Sequence, residues 1–334
     1  MKHITLLCTL LLLVTACAST TEKTSGTPDW ISGSSKSHPA SLYLTGQGMG
    51  LTQHDAKERA RADLAKQFQV AVEERSQQSQ QFQSQTLHGE TSSSLDQKIS
   101  RNLMTYTSRT LEGVEIAQQW HDSQKDQHHA LAVLSRNKAR QQFSQQISAL
   151  DIEIQQHLDQ AKRESSSLYK AGAVQKTLDK QLQRMGLQRS LQVVDQTGRG
   201  IPSKVTLTEL ERIRNEFLGR LKLTTQATDK GLLRILNSEV SKAGFSITKT
   251  DNSDYKLILG RSLDPIIKEK NWYWLRGSLE LQLQDVNGET IGVQRWPLKV
   301  SATTEQRANQ RLVDVIQQTL AKDLLASVLG FAKN

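Results

Sequence analysis

Apolar side chains recur along this chain at two spacings, and the changes of spacing mark its elements. Ser41-Leu42-Tyr43-Leu44-Thr45 alternates as a strand and ends in glycines. Thr52 and Asp55 form a capping-box-like helix start, and Ala56, Ala60, Leu64 and Phe68 then recur every four residues. Small residues early on that face allow close approach to a sheet. Phe68, Val70 and Val72 alternate, which predicts a second strand that continues through the Gln/Ser-rich stretch Glu73 to Gln85 as a long edge strand or a mobile arm. A helix is expected from Ser94 to Ser108, with Leu95, Ile99, Leu103 and Tyr106 on one face. Two strands follow, one through Val114, Ile116 and Gln118 to Trp120 and one from His129 to Leu134, with a turn around Asp122 to Asp126. Phe143, Ile147, Leu150, Ile154 and Leu158 place a long helix from Asn137 into the 160s, and a helix from Ala171 to Met185 forms an antiparallel connector with it.

The second half opens at Leu191-Gln192-Val193-Val194-Asp195 and the turn-rich Thr197 to Pro202. Helices are expected over Thr206 to Leu221 and over Thr228 to Ala243, the second capped by Gly244. Strands Phe245 to Thr248, Tyr255 to Arg261, Trp272 to Asp285 and Thr290 to Val300 read as a meander, and Asn287-Gly288 is a strong hairpin signal. A last helix, Thr304 to Leu329, lays Ala308, Leu312, Val315, Ile316 and Leu320 on the sheet. The fold class is therefore α+β, with two small mixed α/β-sheet domains, 41–140 and 187–334, joined by a helical connector at 141–186.

Ahead of the fold, a basic start at Met1-Lys2-His3 precedes an apolar run from Ile4 to Val14. That run is about half of the roughly 20 residues a membrane-spanning helix needs, so it reads as the core of a secretory signal. Its end, Leu13-Val14-Thr15-Ala16-Cys17, resembles the bacterial lipobox. The resemblance implies removal of residues 1–16 and a diacylglycerol group on Cys17, giving a lipid-anchored N-terminus. Buried acyl CH2 groups contribute about 0.8 kcal/mol each, so two or more chains hold a protein on a membrane without a span. Ala18 stands where, by analogy with a known bacterial sorting rule, an aspartate would be expected for inner-membrane retention, which implies the outer membrane, facing the periplasm or the surface. Residues 17–40 are rich in Ser, Thr, Lys and Gly and read as a flexible tether. Within it, Pro28-Asp29-Trp30-Ile31 reads as an aromatic anchor that packs the tether's end onto the first domain.

Composition narrows the chemistry. Of the two cysteines, Cys8 leaves with the signal and Cys17 is blocked by lipid, which removes disulfides, thiolate metal sites and cysteine nucleophiles together. The formal charge is +9, with 43 Lys+Arg against 34 Asp+Glu among 334 residues. In an envelope compartment that excess faces anionic headgroups or acidic wall polymers, not nucleic acid. The cations are also interspersed with glutamines and acids, as on ordinary solvated faces.

Gly46-Gln47-Gly48-Met49-Gly50-Leu51 lies where a dinucleotide-binding loop would. Leu51 replaces the third glycine and no further βαβ units follow, so the segment reads as a glycine-permitted tight turn. His38, His54, His88, His121, His128, His129 and His157 contain no HxxxH spacing, and the C-terminal domain has neither His nor Cys. Asp254, Asp264 and Glu280 show no recognisable pairing for acid–base work. The expectation is a chain that is not an enzyme, with no catalytic residue, cofactor, metal or small-molecule substrate. Trp272, Tyr273, Trp274 and Trp296 form the candidate interface, beside Lys270, Arg276 and Arg295. Strand alternation keeps Tyr273 off the face of the two neighbouring tryptophans, so this group either packs sheet to helix or is covered by a partner protein.

Pro28-Asp29-Trp30, Tyr43-Leu44-Thr45-Gly46-Gln47-Gly48, the helix Ala56 to Ala65, Phe68-Gln69-Val70-Ala71-Val72 and the closing Ala130 to Leu134 occur in the order that resembles the lipoprotein-20 family, over about 27–140. The family implies non-enzymatic envelope lipoproteins, some associated with flagellar basal-body or outer-membrane ring structures, and no catalytic residues come with it. Asp254 to Gly260, Leu279 to Asp285 and Gly288-Glu289 are more loosely similar to the small α+β domains of periplasmic assembly proteins, such as those of the Tol-system propeller protein and of activators of peptidoglycan synthases. The resemblances imply an outer-membrane lipoprotein acting as an envelope structural or assembly factor, flagellum-associated, with envelope proteins or further copies of itself as partners. The alternative they carry is a periplasmic regulator docking on a peptidoglycan synthase.

Overall fold

The computed structural model describes residues 26–86, 113–249 and 252–332. Residues ahead of 41 are already part of the folded structure. Asp29–Ser32 forms a short 3-10 turn whose Trp30 is buried against Leu131 and Val133. The Asp29 carboxylate accepts from the Lys36 amide at 2.8 Å, and Gln118 Nε2 donates to Ser37 Oγ at 2.9 Å. Polar composition suggested a tether as far as residue 40; the aromatic anchor and these local hydrogen bonds fasten its last part to the sheet.

That sheet is antiparallel, β1 (Tyr43–Gly50), β2 (Glu115–Asp122) and β3 (Gln127–Ser135), in the order β1-β3-β2. Trp30 covers one face and helix α1 (Gln53–Thr86) covers the other. Thr52 starts α1 as expected, accepting from the Asp55 amide at 3.1 Å. No strand interrupts α1 at Phe68 to Val72. Phe68 and Val72 extend the four-residue spacing of Ala56, Ala60 and Leu64 and are buried with them, while Val70 is exposed. The Gln/Ser-rich continuation is more of the same helix, because two apolar residues four apart satisfy a helix face as well as a strand face. The helix expected over 94–108 lies outside the described residues.

The glycines after Thr45 do not make a turn. They lie within β1, and Gly46, Gly48 and Gly50 occupy alternate positions facing α1. A Cβ at Gly48 would overlap the backbone of Ala56 and Ala60, and one at Gly46 would overlap that of Ala60 and Leu64. Small residues on both elements thus bring helix backbone onto strand backbone.

Helices α2 (Arg136–Arg163) and α3 (Ser167–Val194) follow, capped by the hydroxyls of Ser135 and Ser166. α3 continues past Met185 through Leu191-Gln192-Val193-Val194, since Leu187, Leu191 and Val194 remain in its buried period. Ala173 to Val194 pack into the core under α1, whereas Leu168 and Ala171 pack into the C-terminal core. Buried Arg184 joins α3 to α2 by donating to Asp151 at 2.6 and 3.2 Å, and ties down the following loop through the carbonyls of Ile201 and Pro202.

Helix α4 (Leu207–Arg220), capped by Thr206, leads to the C-terminal unit: β4 (Lys222–Ala227), α5 (Lys230–Lys242), β5 (Ser246–Ile247), β6 (Tyr255–Leu263), β7 (Ile267–Glu269), β8 (Trp272–Gln284), β9 (Thr290–Ala302) and α6 (Glu305–Phe331). β4 went unread because Leu223 is its only buried residue. It runs parallel to β5 and β6, so the meander becomes a mixed sheet, ordered β5-β4-β6-β8-β7 with β9 on the other side of β8. The β8–β9 turn has Gly288 at φ 80° and the Asp285 carboxylate accepting the Asn287 and Glu289 amides at 2.9 and 2.8 Å.

Histidines gather on the β2–β3 hairpin. His121 stacks on His128 at 4.5 Å between ring centroids, and His129 packs against Trp120 at 5.2 Å on the opposite face. Burial lowers the His129 pKa, opposed by Asp122 and assisted by Lys125.

Two expectations follow. Gly48→Ala should lower stability to urea by roughly 1–3 kcal/mol, the usual range for overpacking, whereas Gly260→Ala, with open space at its Cβ, should not. Because the folded state resists protonation of His129, the unfolded chain binds more protons below about pH 6.5, and stability falls as pH drops through that region. Replacing His129 by Gln should flatten this part of a pH–stability profile.

Candidate interaction surface

Alternation along the long strands decides what the six-stranded sheet exposes. Leu275, Leu279, Leu281 and Leu283 of β8, with Leu257 and Leu259 of β6, turn to one face and are buried. There they meet Leu232, Leu236 and Val240 of α5 and the Ala308, Leu312, Ile316, Leu320 stripe of α6. Among the described residues no helix packs on the other face. It is made of Trp274, Arg276, Ser278, Glu280 and Gln282 on β8 and of Val293, Arg295, Pro297 and Lys299 on β9.

The four candidate aromatics divide between these faces. Trp272 and Trp274 belong to the open face, while Tyr273 pairs with Ala302 on the helix-covered face. Trp296, opposite Leu279, is also on the covered face and packs partly into the core. Together with Asp323, Ser327 and Phe331 of α6 it lines a shallow groove of about 440 Å³. One patch of four aromatics does not exist, because strand alternation separates Tyr273 from its neighbours and the hairpin register carries Trp296 along the sheet.

Trp274 lies toward one end of the open face, near the start of β8. The Arg276 guanidinium lies 5.8 Å and the Lys299 ammonium 5.5 Å from its ring centroid, both within cation–π range. Lys299 was not among the cations picked out by sequence proximity. It stands opposite Arg276 in the register set by the Asn287-Gly288 turn, so counting back from that turn would have found it. Arg295 and Glu280, a cross-strand pair, form an ion pair at 2.9 Å beside them.

The other candidate groups each make structural contacts. Asp254 accepts the Lys222 amide at 2.8 Å and so ties β4 to the start of β6. Glu280 is taken by Arg295, and Asp264 meets Arg276 through backbone. Among the described residues no group of three or more His, Cys, Asp or Glu is placed to hold a metal ion, and no helix is long and apolar enough to cross a membrane. Cys17 lies outside the described residues.

No curated protein matches this sequence. Among solved structures, a secreted protein of Helicobacter pylori is similar at 13% identity, with 87% of this chain and 98% of that chain covered and a TM-score of 0.43. A minor lipoprotein of Acinetobacter baumannii is similar at 15% identity over 31% of this chain and 90% of its own, with a TM-score of 0.28. A lipoprotein of Neisseria meningitidis is similar at 11% identity over 29% and 96%, with a TM-score of 0.22. The stretch from the Trp30 anchor to the end of β3, residues 28–135, matches the family model of the LPP20 lipoproteins.

Proposed function

We propose that this chain is a lipid-anchored protein of the bacterial outer membrane, held through Cys17 and facing the periplasm, that acts as a structural or assembly factor by docking another envelope protein. The observation that carries this reading is the open face of the C-terminal sheet, where the cross-strand pair Arg276 and Lys299 places two cations 5.8 and 5.5 Å from the Trp274 ring centroid. Such a face offers an aromatic anchor whose side-chain freedom is already spent, ringed by groups that read charge. The LPP20 match over residues 28–135 supports the lipoprotein part of the reading, and the lipobox-like Leu13 to Cys17 supports the anchor. Of the carboxylates singled out in the sequence, Asp254 is engaged by the Lys222 amide and Glu280 by Arg295, which favours a binding role over one carried by these groups.

In-cell crosslinking followed by affinity purification and mass spectrometry tests it. A partner recovered with the intact chain should be depleted about tenfold or more by Trp274→Ala combined with Lys299→Glu, in line with loss of an interface anchor. Recovery of flagellar ring components would give the structural role its assembly, and recovery of a peptidoglycan synthase would make the role regulatory. A partner set unchanged by these substitutions, with normal accumulation of the chain, would remove the open face from the reading. Cys17→Ser should release the protein from the membrane fraction.

A further inference from the structure

At one end of the open face the sheet narrows to the hairpin of β7 and the first residues of β8. Glu269 pairs with Trp272, and Lys270 and Asn271 between them have φ of 45° and 65°. Positive φ at both central residues marks the tight two-residue loop that follows the strand twist, so the tip is stiff. Its surroundings are unusually apolar for exposed chain. Ile266 is 42% exposed, Ile267 47% and Trp272 42%, with Leu263 at 36% where the segment leaves β6. Ile267 lies opposite Trp274 and shares the open face with Trp272.

Cations surround this apolar tip. Lys270 is in the turn, Arg276 and Lys299 flank Trp274, and the Lys268 ammonium lies 5.2 Å from the centroid of the Tyr273 ring. From Arg261 to Arg276 the segment holds four Lys or Arg against the two carboxylates Asp264 and Glu269. Protein interfaces are depleted in lysine, which this tip carries at 268 and 270. An exposed tip of isoleucine and tryptophan with lysines beside it instead fits the boundary of a bilayer, where indole rings sit at headgroup level and lysines extend to phosphate.

We propose that the β7–β8 hairpin is a membrane-contact element that seats in an anionic phospholipid headgroup layer, with Ile266, Ile267 and Trp272 entering the layer and Lys268 and Lys270 meeting phosphates. The proposal builds on the lipid-anchored reading, since an acylated N-terminus keeps the hairpin near a bilayer and a weak individual contact is then enough. It adds a second attachment, which would hold the C-terminal sheet at a set height with its open face available to the protein partner.

Vesicle co-sedimentation tests this without the acyl group. The probe is the chain from residue 17 with Cys17→Ser, mixed with vesicles of phosphatidylethanolamine and phosphatidylglycerol or of phosphatidylcholine alone. The expected result is salt-sensitive binding to the anionic vesicles only, with a blue shift of tryptophan emission. Ile267→Ser with Trp272→Ser should abolish the emission shift, and Lys268→Glu with Lys270→Glu should weaken binding by about tenfold or more. The two lysine positions are exposed, so that variant still decides the matter if the apolar one misfolds. Absence of vesicle binding, or binding unchanged in the folded lysine variant, would overturn the proposal. Loss of a crosslinked protein in the hairpin variants without any vesicle binding would give the hairpin to a protein partner instead. Since no acyl chain is present, these outcomes are independent of whether Cys17 is lipidated in the cell.

Discussion

Helix α3 serves two hydrophobic cores, and the arrangement of the rest depends on it. Its first turns, at Leu168 and Ala171, are buried among the leucines of the C-terminal sheet, and its remaining length packs with α1, α2 and α4. The Ser166 hydroxyl that caps the helix also lies 2.8 Å from the Tyr255 hydroxyl at the start of β6. Sliding α3 along its axis would therefore disturb both cores, the cap and the Arg184–Asp151 pair. A helix so constrained acts as a shared beam rather than a spacer, because close-packed interiors transmit displacement. The N-terminal strand region that follows the Trp30 anchor and the sheet that carries Trp274 are tied to the same beam.

The second organising feature is asymmetry. α5 and α6 crowd onto one side of the C-terminal sheet, and every large residue pointing to that side from the middle of β8 is a leucine. On the other side the same strand offers Arg276, Ser278, Glu280 and Gln282, a clean period-two pattern of the kind that antiparallel strands with one solvated face adopt. Trp274 breaks that polarity. Its cationic neighbours give it an electrostatic environment that water can share, which explains how a tryptophan is retained on a solvated face without a core beneath it.

Much of this was legible in the residues. Helices with several apolar residues at i and i+4 were found because that pattern has no competing explanation, and Asn287-Gly288 marked its hairpin because few residues accept positive φ. Short patterns failed where two periods coincide. Phe68, Val70 and Val72 alternate, yet Phe68 and Val72 alone continue a helix, and only burial separates these cases. The glycines of β1 were read as a turn because glycine signals conformational freedom more often than close approach; the matching Ala56 and Ala60 carried the clue. β4 was missed for want of apolar residues, and its identity comes from its two neighbours rather than from itself. The open surface was half legible: the aromatics were seen, while their division between faces needed the register.

The sheet edges bear on how such a protein associates. An open edge strand invites another chain to add, and natural sheets guard against this with proline, charge and short strands. β9 is thirteen residues long and among the described residues pairs only with β8, yet Pro297 at its middle cannot donate a backbone hydrogen bond, and Arg295 and Lys299 flank it. β5, at the far edge, is two residues long. In the smaller sheet β2 is irregular between Ile116 and Gln118. Growth by strand addition is thus disfavoured at three places by three different means, whereas among the described residues the open face has no comparable guard. For the docking proposed above, association through side chains on the open face avoids these guarded edges, and the proposed contact of the hairpin with lipid at the end of that face is compatible with it.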